Sequence, residues 1–300
     1  MTFKKISRRL FLSLSVVLLL GSISVAKDKA ESKQLQDKVI KILAIGNSFS
    51  EDAIEHYLYG LAKAGGIKVI IGNLYIGGAP LDLHWKNAST DKSAYEYRKV
   101  DVDGKKERFP KTSISKALAD EDWDYISFQQ ASPLSGDYDS YAKDLPLLYD
   151  YVTKHILFPE TKYILHQTWA YQNGSSHEGF VRYNRSQDSM YRAIATTSQE
   201  VFNWGNFDLL IPSGTAVQNA RSSFVGDNFT RDGYHLNLNY GRFVAACTWY
   251  EALFHENVLN NTFLPLKVTY VEGEIARAAA HKAVEFPYAV TVLKDFQLMN

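Results

Sequence analysis

A single cysteine, Cys247, leaves this 300-residue chain no partner for an internal disulfide, so burial and hydrogen bonding must hold it together. Its neighbours, in FVAACTWYEALF, are apolar in a helical-looking run, which marks a core thiol rather than a nucleophile. The chain has no HExxH motif and no close cluster of histidine and cysteine, which excludes the common zinc-hydrolase patterns; no metal and no cofactor is implied. A phosphate loop is missing too, and with it the nucleotide-binding class. Charge of one sign is not in excess, since 33 Lys and Arg balance 33 Asp and Glu, so nothing resembles the basic footprint of a nucleic-acid binder. Internal repeats and low-complexity segments are also absent.

Long apolar runs are scarce, and the one present lies near the N-terminus, at 10–20. Lys4, Lys5, Arg8 and Arg9 precede it, and Ser24, Val25 and Ala26 follow, which is the layout of a signal peptide over residues 1–26. A short linker, 27–38, and one domain, 39–300, are expected after it. SRRLFLS also fits the core of a twin-arginine signal, so Sec and twin-arginine export both stay open. No cysteine follows the run, so the expectation is an exported bacterial protein, periplasmic or extracellular, with no membrane anchor once the leader is removed. Removal takes four basic and no acidic residues from 33 of each, leaving 29 against 33, a formal charge of −4.

What remains alternates. Strand-like apolar runs fall at 39–45, 69–76, 125–128, 163–165 and 209–211, and helix-period segments lie at 53–64, 114–119, 141–156 and 180–201. That order predicts an α/β fold of three layers, α/β/α, with a flavodoxin-like doubly wound parallel sheet and its ligands outside the carboxyl ends of the strands. The polar stretch 86–111 reads as a hairpin insertion turning at Asp103 and Gly104 and bordering the site. VEGEIARAAAHKAV reads as a closing helix on the outside.

Four strand-end stretches carry chemistry. In GNSFS the first strand stops at Gly46, Asn47 and Ser48, with Ser50 expected to cap the next helix. A serine there needs a base. FTRDGYHLN supplies His235 with Asp232 three residues earlier, close enough for the carboxylate to fix the ring tautomer. YIGGAPLDLHW follows the second strand with Gly77 and Gly78, whose amides no side chain covers. ISFQQAS ends the third with Gln129 and Gln130, either of which could supply a further amide donor.

Taken in order, these blocks resemble the SGNH (GDSL-like) hydrolase superfamily, over about residues 39–254. GNSFS, QQAS and RDGYHLN followed by YGRFVAACTWYE are most similar to a branch of SGNH-hydrolase-like proteins of unknown function from gut-type bacteria. The resemblance implies the SGNH hydrolase fold, a catalytic Ser48, Asp232 and His235, and an oxyanion hole from Ser48, Gly78 and a side-chain amide. The superfamily's third block is usually GxND. QQAS instead is similar to the QGES of sialate and xylan acetylesterases, an alignment that selects Gln129 and leaves Gln130 as the substitute.

The implied function is an exported serine esterase removing acetyl or other short acyl groups from carbohydrates. Nineteen tyrosines and five tryptophans, several near strand ends, fit sugar stacking. His84, Trp85, Trp169 and Gln130 are the expected substrate contacts, with Tyr75, Tyr171, His166 and Gln167 nearby in sequence. Two other classes compete: a non-catalytic glycan-binding protein on the same fold, and a lipase or thioesterase, which would need an apolar acyl channel.

Overall fold

The computed structural model describes residues 38–297. The expected leader, and the linker up to Asp37, lie outside them. In chain order the first elements are β1 (Val39–Gly46), α1 (Ser48–Ile54), α2 (Leu58–Ala64), β2 (Lys68–Tyr75), α3 (Leu81–Ser89), β3 (Tyr95–Val100), β4 (Lys106–Thr112) and α4 (Ile114–Leu118). There follow β5 (Tyr125–Phe128), α5 (Tyr138–His155), β6 (Lys162–His166), α6 (Gln187–Phe202), β7 (Leu209–Ile211), α7 (Ser213–Arg221), α8 (Tyr240–Phe254) and α9 (Tyr270–Glu285).

The strands form one sheet in the order β4-β3-β2-β1-β5-β6-β7. From β2 to β7 every pairing is parallel, with Ile42 of β1 opposite Ile71 on one side and Tyr125 on the other. Successive side chains of a strand point to opposite faces, and β1 shows it: Ile42 and Ala44 join one apolar cluster while Leu43 and Ile45 join the other. Helices α1, α2, α7, α8 and α9 cover the first face; α3, α4 and α5 cover the second. Helix α6 gives Met190 and Ile194 to the first and Val201 to the second. Burial on both faces is why the parallel strands read as unbroken apolar runs. This is the three-layer doubly wound architecture expected.

Three details differ. The stretch 86–111 is not a separate insertion: 86–89 finish α3, and the hairpin joins the sheet as the antiparallel strands β3 and β4. Strand β4, KERFPKT, is mostly exposed, and its charges and Pro110 blunt a sheet edge that would otherwise invite pairing. The helix expected over 53–64 is broken between Ile54 and Leu58, although the apolar residues Ala53, Ile54, Leu58 and Leu61 all stay buried across the break. The helix expected over 180–201 is a 3₁₀ turn, Glu178–Tyr183, followed by α6; Asn184 and Arg185, at φ 55° and 52°, interrupt it. Cys247 is fully buried in α8, where burial pushes its thiol pKa up.

Candidate active site

Gly46 ends β1 because nothing larger fits: a Cβ there would lie 2.2 Å from Ser50 Oγ. Asn47, not Ser50, is the N-cap of α1. Its Oδ1 accepts the Phe49 N–H at 2.9 Å, and its own N–H donates to Ser50 Oγ at 3.0 Å, so Ser50 closes the capping box from inside the helix. Ser48 is therefore the first helical residue, whose N–H has no carbonyl to meet within the helix.

The loop carrying Asp232 and His235 is closed at its base by a bridge between Thr230 and Leu236 and by the Arg231 N–H donating to the His235 carbonyl at 2.9 Å. Gly233 sits at φ 91°, and the loop turns there against Ser175. Asp232 Oδ1 accepts the His235 N–H at 2.8 Å and the Tyr234 N–H at 3.2 Å, while Oδ2 lies 2.6 Å from His235 Nδ1. Burial works to raise the Asp232 pKa, but these hydrogen bonds outweigh it and hold the carboxyl below its ordinary range. With Nδ1–H given to Asp232, Nε2 is free to accept, and it lies 2.8 Å from Ser48 Oγ.

What brings two segments 187 residues apart to that distance is Asp52, one turn along α1 from Ser48. Its side chain is completely buried. It accepts the Leu236 N–H at 2.8 Å, Arg231 Nη1 at 2.9 Å and Arg242 Nε at 2.7 Å. Leu236 directly follows His235, so this buried carboxylate fastens the nucleophile's helix to the base's loop. Removing one member of such a buried pair costs about 3–5 kcal/mol.

Gly77 and Gly78 lie on the exposed turn after β2, closed by the Ala79 N–H donating to the Ile76 carbonyl at 3.2 Å. Gly78 is at φ 66°, with open space where a Cβ would be. The Asn47 side chain fastens this turn to α1, its Nδ2 donating to the Ala79 carbonyl at 3.0 Å. Together Asn47, Ser48, Phe49, Tyr75, Gly77, Gly78, Ser132, Pro133, His177, Tyr234 and His235 enclose a cleft of about 400 Å³. A larger hollow of about 490 Å³ lies along α9 by Tyr270, Glu274 and Arg277, and its lining has no serine, cysteine or histidine.

Several expected contacts lie elsewhere. Gln129 is buried beside the cleft, not in its lining. Its Nε2 donates to Asn47 Oδ1 at 2.9 Å and its Oε1 faces His166 Nδ1 at 2.7 Å, so its amide is engaged in holding Asn47. Gln130 pins the start of α3, accepting the Leu81 N–H at 2.9 Å and donating to Ser140 Oγ at 2.9 Å. His84 is sealed in the core, its Nδ1 2.9 Å from the Tyr95 hydroxyl, and burial draws its pKa down to about 4. Trp85 packs half-buried against the second core cluster.

Trp169 is fully buried and cannot stack on a sugar. It lies face to face under Phe49, with ring centroids 4.3 Å apart, and donates to the Tyr234 carbonyl at 2.8 Å. Tyr171 is buried with its hydroxyl 2.8 Å from Ser132 Oγ, and Gln167 accepts the Thr215 N–H at 2.9 Å. Of the aromatic residues singled out, Tyr75 alone reaches the cleft, backed by the Arg98 guanidinium 3.6 Å from its ring centre. Arg98 belongs to β3, so the edge hairpin meets the cleft only indirectly, behind Tyr75, and none of its residues is in the lining. Phe49, Ser132, Pro133, Tyr234 and His177 also line the cleft, and no motif in the sequence marks them as lining residues. His177 lies in the polar loop GSSHEGF after β6, and the strand-end rule that singled out Ser48 applies equally to that loop.

Among the described residues, no group of three or more His, Cys, Asp and Glu could hold a metal ion, and no helix is long and apolar enough to cross a membrane. The model of the family DUF4886, a domain of unknown function, matches residues 41–283. A DUF4886 family protein from Bacteroides uniformis ATCC 8492, known from its crystal structure, is 50% identical; the likeness covers 87% of this chain and 100% of that one, with a TM-score of 0.85. A candidate SGNH hydrolase from Slackia heliotrinireducens is 21% identical over 72% of this chain and 100% of its own, with a TM-score of 0.50, and shares the fold. Among curated proteins none matches. The span of the family match and the half-identity to a family member of solved structure make the conclusion plain: the chain belongs to the DUF4886 family, a branch of unknown function built on the SGNH hydrolase fold.

Proposed function

We propose that the protein is a serine esterase of the SGNH type that removes acetyl or other short acyl groups from carbohydrates. The observation that carries this reading is the hydrogen-bonded series from Ser48 Oγ to His235 Nε2 and from His235 Nδ1 to Asp232. Ser48 attacks the ester carbonyl while its proton passes to His235, and Asp232, held ionised, stabilises the imidazolium that forms. The backbone N–H groups of Ser48 and Gly78 receive the developing oxyanion; losing one such donor typically costs about 10²- to 10³-fold in rate. Collapse expels the alcohol, which takes the proton from His235 Nε2. Water then attacks the acyl-enzyme with the same histidine as base, and Ser48 is regenerated.

The cleft supports a short acyl group. Its wall combines hydroxyl, imidazole, amide and glycine with Phe49, Pro133 and two tyrosines, and a long acyl chain would call for a continuous apolar channel. The apolar N-terminal run supports export to the periplasm or the cell exterior, to be tested by the N-terminal mass of protein recovered from the cell envelope, expected near Lys27. The deciding assay for the activity is hydrolysis of acetylated xylan, pectin and sialosides, alongside p-nitrophenyl esters of increasing chain length. Turnover confined to short chains and acetylated glycans supports the esterase; glycan binding with no hydrolysis replaces it with a binding protein, and preference for long chains replaces it with a lipase.

A further inference from the structure

In an ester hydrolysis the alcohol oxygen must sit where His235 Nε2 can protonate it, whereas the carbonyl oxygen points at the amide donors. The two halves of the cleft therefore have different tasks. Gly77 and Gly78 lie on the carbonyl side. On the side of His235 stand Tyr234, its ring centroid 4.2 Å from that of His235, and His177, 4.7 Å from Tyr234 and nearly perpendicular to it. These two rings line the cleft beside the histidine that protonates the leaving alcohol, and neither has a part in the chemistry described above.

The His177 ring is held in one tautomer. Its Nδ1 accepts the Gly179 N–H at 3.0 Å, so in the neutral ring the proton is on Nε2. Among the described residues Nε2 has no hydrogen-bond partner, and it is not among the buried polar atoms left unsatisfied, so solvent reaches it in a side chain that lines the cleft. Burial, with repulsion from His235 beside it, lowers the pKa of His177, which keeps the ring neutral and Nε2 a single-proton donor. Pro133 packs against Gly179 so closely that a Cβ on that glycine would lie 2.3 Å from the proline, and this fixes the turn that aims the ring.

We propose that His177 selects the alcohol half of the substrate, donating a hydrogen bond from Nε2 to a hydroxyl of a polyhydroxylated leaving group, that is, a sugar. This rests on the esterase reading, so the test separates the two. The measured quantity is the ratio of kcat/KM for a partially acetylated xylo-oligosaccharide to that for p-nitrophenyl acetate, whose leaving group has no free hydroxyl. The ratio does not depend on how much of a variant is folded.

In His177→Phe the ratio should fall about tenfold, mainly through a higher KM for the sugar ester, the size expected for one neutral hydrogen bond. His177→Gln, which keeps an N–H donor, should recover part of it. A ratio unchanged in both variants overturns the inference and leaves the esterase standing. So does a wild type that hydrolyses p-nitrophenyl acetate but no acetylated sugar. If the wild type hydrolyses neither ester, the proposed function itself falls, and the inference with it.

Discussion

Two serine-histidine pairs stand at carboxyl ends of this sheet, and their atoms are arranged almost alike. In one, Ser48 begins α1 and lies 2.8 Å from Nε2 of His235, whose Nδ1 faces Asp232. In the other, Ser213 begins α7 and lies 3.0 Å from Nε2 of His166, whose Nδ1 faces Gln129 at 2.7 Å. Two differences separate them. The third member is a carboxylate in the first and an amide in the second, and an amide gives little to stabilise a protonated ring. The first pair lines the cleft, whereas His166 and Ser213 are wholly buried, and burial pulls the His166 pKa down to about 3. A hydroxyl beside an imidazole is thus not a nucleophile by itself. Without a charge behind the ring and access in front of it, the same arrangement is a strut, and this one runs from Ser213 through His166 and Gln129 to Asn47, next to the nucleophile.

The sharpest way to break the comparison is Ser48→Ala, which should cut ester turnover on the order of 10⁶-fold, as loss of a nucleophile does in a serine hydrolase, while leaving the melting temperature nearly unchanged. Turnover at the wild-type rate would mean that another residue attacks. Asp232→Asn makes the first constellation a chemical copy of the second; kcat should drop about 10⁴-fold, read in the same assay. A loss of less than tenfold would show that the carboxylate is dispensable.

The converse change, Gln129→Glu, gives the buried pair its missing charge. It should create no activity, since no substrate reaches Ser213, and combined with Ser48→Ala it should stay at background. In the Ser48 enzyme it should lower kcat about tenfold or more, because a carboxylate cannot donate to Asn47. Ester turnover by the double variant would show that charge, not access, separates the pairs.

Acid offers a milder test. His166 is neutral in the folded chain down to about pH 3 but gains a proton in the unfolded chain below about 6.5, so the unfolded state binds more protons between those values and stability falls as pH drops through them. By pH 5 His166 should cost about 2 kcal/mol relative to neutral pH, and buried His84 acts in the same direction above its pKa of about 4. Urea midpoints at pH 7 and pH 5 should therefore converge in His166→Gln relative to wild type; identical pH slopes would refute the assignment. The smallest effect belongs to Ser213→Ala, about 1 kcal/mol of stability with kcat within about twofold of wild type, measured by denaturation and turnover together.

The strands were legible because a parallel sheet buried on both faces writes its core as short apolar runs, and Ser48, Asp232 and His235 stood out because each falls at a strand end or a late loop with local partners. Burial of aromatic residues was not legible. Trp169 lies near a strand end in sequence just as Tyr75 does, yet one is sealed under Phe49 and the other faces the cleft. The role of Gln129 was equally hidden, since its neighbours Asn47 and His166 are 82 and 37 residues away and nothing local names them. The break between Asn184 and α6 could not be read from periodicity, because apolar residues on either side of a left-handed pair keep the same spacing.

The Asp52 clamp also bears on the order in which the chain is made. Its carboxylate emerges early in synthesis, but two of the cations that neutralise it, Arg231 and Arg242, emerge some 180 residues later. Until then α1 cannot settle with that charge buried, because an unpaired carboxylate in the interior is too costly. A chain that ends before Arg242 therefore lacks one of the cations that neutralise Asp52 in the finished fold. The segment that neutralises Asp52 is also the one that carries His235, so the closing of the fold and the arming of the serine depend on the same late stretch of chain.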